Sequence, residues 1–254
     1  MRRTPASSRW PVLSPTVPHR IRSSPSTNPP TAEPIPYPIR NRKSTLRSPP
    51  SPRHQRLCRA QATAVAVRDA LPHYAVWHFS CHGSANFADP LHSGLALANT
   101  DVLTLRDILA LRLSGVRLAV LSACETGLPG TDLPDEVVSL PAGLLQAGVA
   151  GVVASLWSVS DFSTMLLLTR FHDFWRIEGL AINQALRRAQ QWVRDTTNRE
   201  KLVYFQDIIG GARASVVSPE GARSLYGELD DYDEPDRRSF AHPYHWAAFS
   251  YVGV

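Results

Sequence analysis

The sequence predicts an α/β fold, a mostly parallel sheet with helices over both faces. Three observations predict it. Short runs that are apolar throughout alternate with segments of helical spacing, as strands buried on both sides do. An apolar fraction of 43% in 254 residues is enough for a real core. Two of the runs, "AVWHFSCHGSA" and "LAVLSACETG", end in small and chemically active residues, where sites of open parallel sheets form.

The elements follow in order from residue 61. "ATAVAVRDAL" reads as a short helix stopped by Pro72, and "YAVWHFS" (74–80) as a buried strand. "GLALAN" (94–99) is a short extended piece. Thr104 suits the N-cap of "LRDILAL", whose Leu105, Ile108 and Leu109 share one face. "VRLAVLS" (116–122) is a second buried strand. A helix begins near Ser139 with Pro141 in its first turn, and Gly148 suits its end. "AGVVASLW" (150–157) is a third strand, and Asp161 is placed to cap the helix that runs to Trp175. Ile182, Ala185, Leu186, Ala189, Trp192 and Val193 form one stripe of another helix. Residues 195–240 are polar and read as an irregular insertion, with "DDYDEPDRR" an exposed loop, before "YHWAAFSYVGV" closes as a last strand.

Charge divides the chain. The formal net charge is +5, yet residues 1–60 hold 12 Lys+Arg and one acid, Glu33. The remainder holds 15 basic and 21 acidic groups, so the globular part is mildly acidic and does not suit nucleic acid. Thirteen of the 21 prolines precede residue 53, among Ser, Thr and Arg. Residues 1–58 are therefore predicted to be a disordered Pro/Arg/Ser-rich segment, and 59–254 the folded domain. The head suits an anionic tether or an organelle-targeting segment, and equally an upstream stretch without function. "WPVLSPTVP" is too broken by proline for a secretory signal. The longest uncharged run, 137–160, contains Pro141, Gln146 and three glycines and divides into helix, turn and strand, so a membrane span is rejected. Three cysteines, Cys58, Cys81 and Cys124, do not make a disulfide framework and fit a reducing cytosol.

His82 and Cys124 follow the ends of consecutive strands, which right-handed crossovers tend to set side by side. A thiol beside an imidazole is a nucleophile with its proton shuttle, suited to acyl transfer. Taken singly, each residue reads as a buried structural group; jointly, on matching strand ends beside small residues, they read as a dyad. Zinc is the rival, with His78, Cys81, His82, His92 and Cys124 as ligands. Strand alternation puts His78 and Cys81 on opposite faces, and no C-x-x-C pair exists, so no metal site is expected. Cys81 is then a core thiol and His78 a half-buried strand residue. Asp161 suits an acidic specificity pocket as well as a cap. Glu125 reads as a turn-forming or solvated acid, and Asp135 and Glu136 complement a helix dipole.

The blocks "VWHFSCHGSA", "GLALAN", "LTLRDILAL", "LAVLSACETG", "LPDEVVSLPAGLLQAGVAGVVASLWSVSD", "ALRRAQQWVRD" and "HWAAFSYVG" resemble the CHAT domain, a bacterial-rich branch of the caspase–separase clan of cysteine peptidases. The blocks stand in the family's order and cover about residues 59–254, excepting 195–240. The resemblance implies a caspase-like three-layer α/β/α sandwich and a catalytic dyad of His82 and Cys124. It implies an oxyanion hole from the backbone N–H groups of Gly83 and Cys124, and a pocket acid at Asp161 for an Arg or Lys at P1. The reading is then a cysteine endopeptidase with no metal or organic cofactor, a protein or peptide substrate and a regulatory partner, and the cysteine usage and the 137–160 run set it in the cytoplasm and off the membrane. The strands and helix that precede the histidine strand in the family are not legible, nor is any 34-residue repeat. The strand at 74–80 is thus expected to have an unpaired edge. On that account the alternative is a non-catalytic interaction module or truncated remnant whose sheet a partner completes. A third option is a peptidase switched on by an effector.

Overall fold

The computed structural model describes residues 10–14, 54–84, 86, 89–111, 113–122 and 139–254. Its strands are β1 (Trp10–Ser14), β2 (His54–Cys58), β3 (Val76–Phe79), β4 (Gly83–Ser84), β5 (Gly94–Ala96), β6 (Val102–Thr104), β7 (Leu118–Leu121), β8 (Gly151–Ser155) and β9 (Phe249–Gly253). The helices are α1 (Ala64–Ala70), α2 (Leu105–Ala110), α3 (Leu140–Gln146), α4 (Asp161–Arg176), α5 (Ile182–Asp195), α6 (Asn198–Ile209), α7 (Pro219–Asp230) and α8 (Pro243–Trp246).

Six strands form the main sheet in the order β2-β1-β3-β7-β8-β9. All pairs are parallel except β8 with β9. Alternate residues go to opposite faces, the period-2 consequence of the pleat. Val76, Leu118, Val120 and Val153 join one apolar cluster, with residues of α4 to α7. Trp77, Phe79, Ala119, Leu121, Val152 and Ala154 join the other, with residues of α1, α2 and α3. The result is a three-layer α/β/α sandwich, as expected.

Local signals set the helix ends. Thr63 caps α1 by accepting from the Ala66 N–H, and Thr104 and Asp107 form a reciprocal capping box on α2. Ser139 caps α3, with Pro141 in the first turn. Gly148 follows α3 at φ +107°, a left-handed conformation, and a side chain there would run into the Leu113 carbonyl. Helix α4 is buried from Phe162 to Trp175, as a helix enclosed on all sides must be.

Four expectations are corrected. The edge of β3 is not bare: β1 pairs with it, placing Val12 opposite His78 and Leu13 opposite Phe79, and β2 pairs with β1. The strands not legible before the histidine strand come from short segments of the Pro/Arg/Ser-rich head, because strand pairing is bonded by the backbone and tolerates poor local propensity. Residues 195–240 are not irregular throughout, since α6 and α7 lie within them. Each carries its own start signal, a Thr197–Glu200 capping box and Ser218 followed by Pro219. Asp161 is not the cap of α4: Ser160 is the N-cap residue, at φ −58° and ψ 136°, and Asp161 is the first helical residue. An acid there still complements the helix dipole. Finally, the extended piece at 94–99 is shorter than read, and pairs antiparallel with β4 and with the unforeseen β6 as a small second sheet.

Among the described residues no helix is long and apolar enough to cross a membrane.

Candidate active site

The carboxyl ends of β3, β7 and β8 lie along one edge of the parallel sheet. Their register is level: Phe79 faces Leu121, and Leu121 faces Ala154. His82 comes three residues after Phe79, and Cys124 three residues after Leu121. Cys124, Ala123, Glu125, Gly127, Asp135 and Glu136 lie outside the described residues. His82 is half-buried, and the small sheet fixes its backbone. Ala96 donates its N–H to the His82 carbonyl at 2.8 Å, and Gly83 opens β4 opposite Leu95. Asp161 is exposed, seven residues beyond Ala154.

The other zinc-reading residues separate. His78 is buried and its ring meets that of His172, on the α4 side. Cys81 belongs to the apolar cluster on the opposite face, with Trp77 and Phe79. His92 is exposed and pairs with Asp89 at 2.6 Å. Among the described residues, no group of three or more His, Cys, Asp or Glu is arranged to hold a metal ion.

His78 is not half-buried, as its place in the strand suggests, but only 2% exposed. Its Nε2 lies 3.1 Å from the hydroxyl of Ser122, itself 3% exposed. Ser122 bonds in turn to the Phe79 carbonyl. Burial, the neighbouring His78 and Arg176 hold the His172 imidazole well below its ordinary range, so it is neutral at neutral pH.

A second polar group, also unread in the sequence, lies deeper on that face. Asp173 accepts from the Tyr204 hydroxyl, from the Val216 N–H at 2.7 Å and from the Ser215 hydroxyl at 2.9 Å, and Arg170 stands 3.6 Å away. Burial nevertheless pushes the Asp173 carboxyl up. Lys201 is buried, donates to the Thr196 carbonyl at 2.6 Å and hydroxyl at 2.7 Å, and is lowered by burial to about 8. The Arg170 and Asp173 contacts tie α4 to α6 and to the segment before α7, and Lys201 ties α6 to the residue that follows α5. No sequence motif marks them; an Arg and an Asp at i, i+3 inside an apolar helix are the only local hint.

The fold is thus a three-layer α/β/α sandwich with a candidate site at its carboxyl edge. The CHAT domain family model matches residues 27–254, and the chain belongs to that family. Among solved structures, it is similar to a complex of the Porphyromonas gingivalis RgpB pro- and mature domains, at 14% identity and a TM-score of 0.40, over 79% of this chain and 38% of that one. A second, titled "Structure of Protease", matches at 14% identity and a TM-score of 0.37, over 79% and 39%. The chain therefore spans about two fifths of the length of these solved chains. No curated protein matches it.

Proposed function

We propose that the chain is a cysteine endopeptidase of CHAT type, with Cys124 as nucleophile and His82 as its proton shuttle. The observation that carries the reading is the level register of β3 and β7, from which both residues are three positions removed. Neighbouring strands lie about 4.8 Å apart, so equal offsets from a level pair favour two groups within reach of one another. Membership of the CHAT family supports it independently.

In this mechanism the Cys124 thiol gives its proton to the His82 imidazole, and the thiolate attacks the scissile carbonyl carbon. The carbonyl π pair moves onto oxygen, and the backbone N–H groups of Gly83 and Cys124 receive the oxyanion. Collapse breaks the C–N bond, and the departing amine takes the proton from the imidazolium. A thioester on Cys124 remains. His82 then deprotonates water, hydroxide adds to the thioester, and the acid leaves as the thiol is restored. Asp161, negatively charged beyond the carboxyl end of β8, selects Arg or Lys at P1.

The test is to replace Cys124 by Ala and assay peptides with Arg or Lys at P1. Turnover is expected to fall by a factor on the order of 10,000 or more. Equal turnover in both forms would remove the dyad.

A further inference from the structure

The ends of β3 and β7 are joined by more than the backbone ladder. Ser122, the first residue past β7, donates its N–H to the Phe79 carbonyl at 2.9 Å. Its hydroxyl donates to the same carbonyl, also at 2.9 Å. A hydroxyl has one proton to give. With that proton on the Phe79 oxygen, the 3.1 Å contact to His78 Nε2 needs a hydrogen on the nitrogen, so His78 donates to Ser122. The contact therefore fixes the proton position on His78. The His172 ring of α4 also packs against the His78 ring, 5.6 Å away between centroids. Burial of both partners keeps bulk water from substituting for either bond.

This clamp is three residues from His82 on one strand and two from Cys124 on the other. Resting on the peptidase reading, we propose that His78 and Ser122 are positioning residues: the His78–Ser122–Phe79 clamp sets the spacing and alignment of the two chain ends that carry the dyad. Neither residue touches substrate. Their effect is mechanical, because proton transfer and nucleophilic attack depend steeply on separation, and a misplacement of about 1 Å costs on the order of 100-fold in rate. Slack at the last paired level of two strands passes directly into the residues that follow.

Three variants of the full chain test it. Ser122→Ala removes the clamp hydroxyl but keeps the backbone bond to Phe79. His78→Leu keeps bulk and removes the donor. His78→Gln offers an amide N–H near the place of Nε2. Two readouts are taken: kcat and KM on an Arg- or Lys-containing peptide, and the pH dependence of iodoacetamide alkylation, followed at Cys124 by mass spectrometry. Ser122→Ala and His78→Leu are expected to lower kcat about tenfold with KM nearly unchanged, and to move the alkylation midpoint up toward the ~8.5 of an unassisted thiol. His78→Gln is expected to recover most of both. Wild-type kcat and a wild-type alkylation profile in Ser122→Ala and His78→Leu would overturn the proposal, as would a Gln variant no better than Leu. Should His78→Leu fail to fold, Ser122→Ala decides alone. A wild-type chain that cleaves no peptide defeats the peptidase reading instead, while the alkylation profiles still judge the clamp.

Discussion

On the face of the sheet that carries α1, α2 and α3, the buried layer is almost wholly apolar, with Trp77, Phe79, Leu105, Ile108, Leu121 and Leu144 at its centre. The opposite face has an apolar layer as well, but Arg170, His172, Asp173 and Lys201 are buried within it. Each of these is enclosed rather than merely covered. The Arg170 guanidinium lies 4.0 Å from the Phe174 ring centroid and 4.5 Å from that of Tyr204, and Lys201 Nζ lies 5.3 Å from the Trp192 ring. One face is therefore held by area removed from water, which is spread over many contacts. The other depends also on a few directional bonds among groups that are costly to leave unmatched. The two faces should fail in different ways.

The largest effect is expected from Asp173→Ala, which leaves the buried Arg170 with only the half-exposed Glu178 carboxylate at 3.8 Å and takes the acceptor from Val216 and Ser215. A loss of about 4 kcal/mol is expected, read by urea denaturation. A loss under about 1 kcal/mol would mean that the polar face is held by packing like the other, and the contrast would go.

Ile108→Ala tests the apolar face. Ile108 is 1% exposed in α2, and removing its branch should cost about 3 kcal/mol through lost transfer energy and a residual cavity. No ionisable group is disturbed, so the cost should be the same at pH 5 and pH 8. A pH-dependent cost would blur the distinction between the faces.

The smallest effect is a slope. Burial, His78 and Arg176 lower the folded-state pKa of His172, while the unfolded chain titrates near ~6.5. The unfolded state therefore binds the proton more readily. His172 costs no stability above about pH 6.5 and subtracts from it progressively as pH falls below that value. His172→Phe should flatten the loss of stability between pH 7 and pH 5, measured by urea titration at several pH values. An unchanged slope would place the acid sensitivity of that face elsewhere.

Much of the fold was legible because its signals are local. The strands β3, β7 and β8 announce themselves as apolar runs, and the stripe of α5 and the Thr104 cap of α2 sit in adjacent turns. Helix α6 was not read, although its Thr197–Glu200 box is present, because Asn198 and Lys201 take buried positions where an apolar stripe is sought. Strands β1 and β2 were not read because pairing with distant segments, not composition, makes them strands. At the site, His82 and Cys124 stood out as reactive residues after apolar runs. The partnership of His78 with Ser122, 44 residues away, did not.

The sequence by itself determined the alternation of strands and helices, the two-sided burial of the sheet and the residue types that arrive at its carboxyl edge. Those follow from hydrophobic period and short-range capping, which act within a few residues. Only the tertiary structure decided the strand order, the level register of Phe79 with Leu121, and which buried polar groups face one another across α4, α6 and β3. Such matters depend on which backbone edges and side chains meet after the chain has closed loops of tens of residues, and no local pattern encodes the meeting.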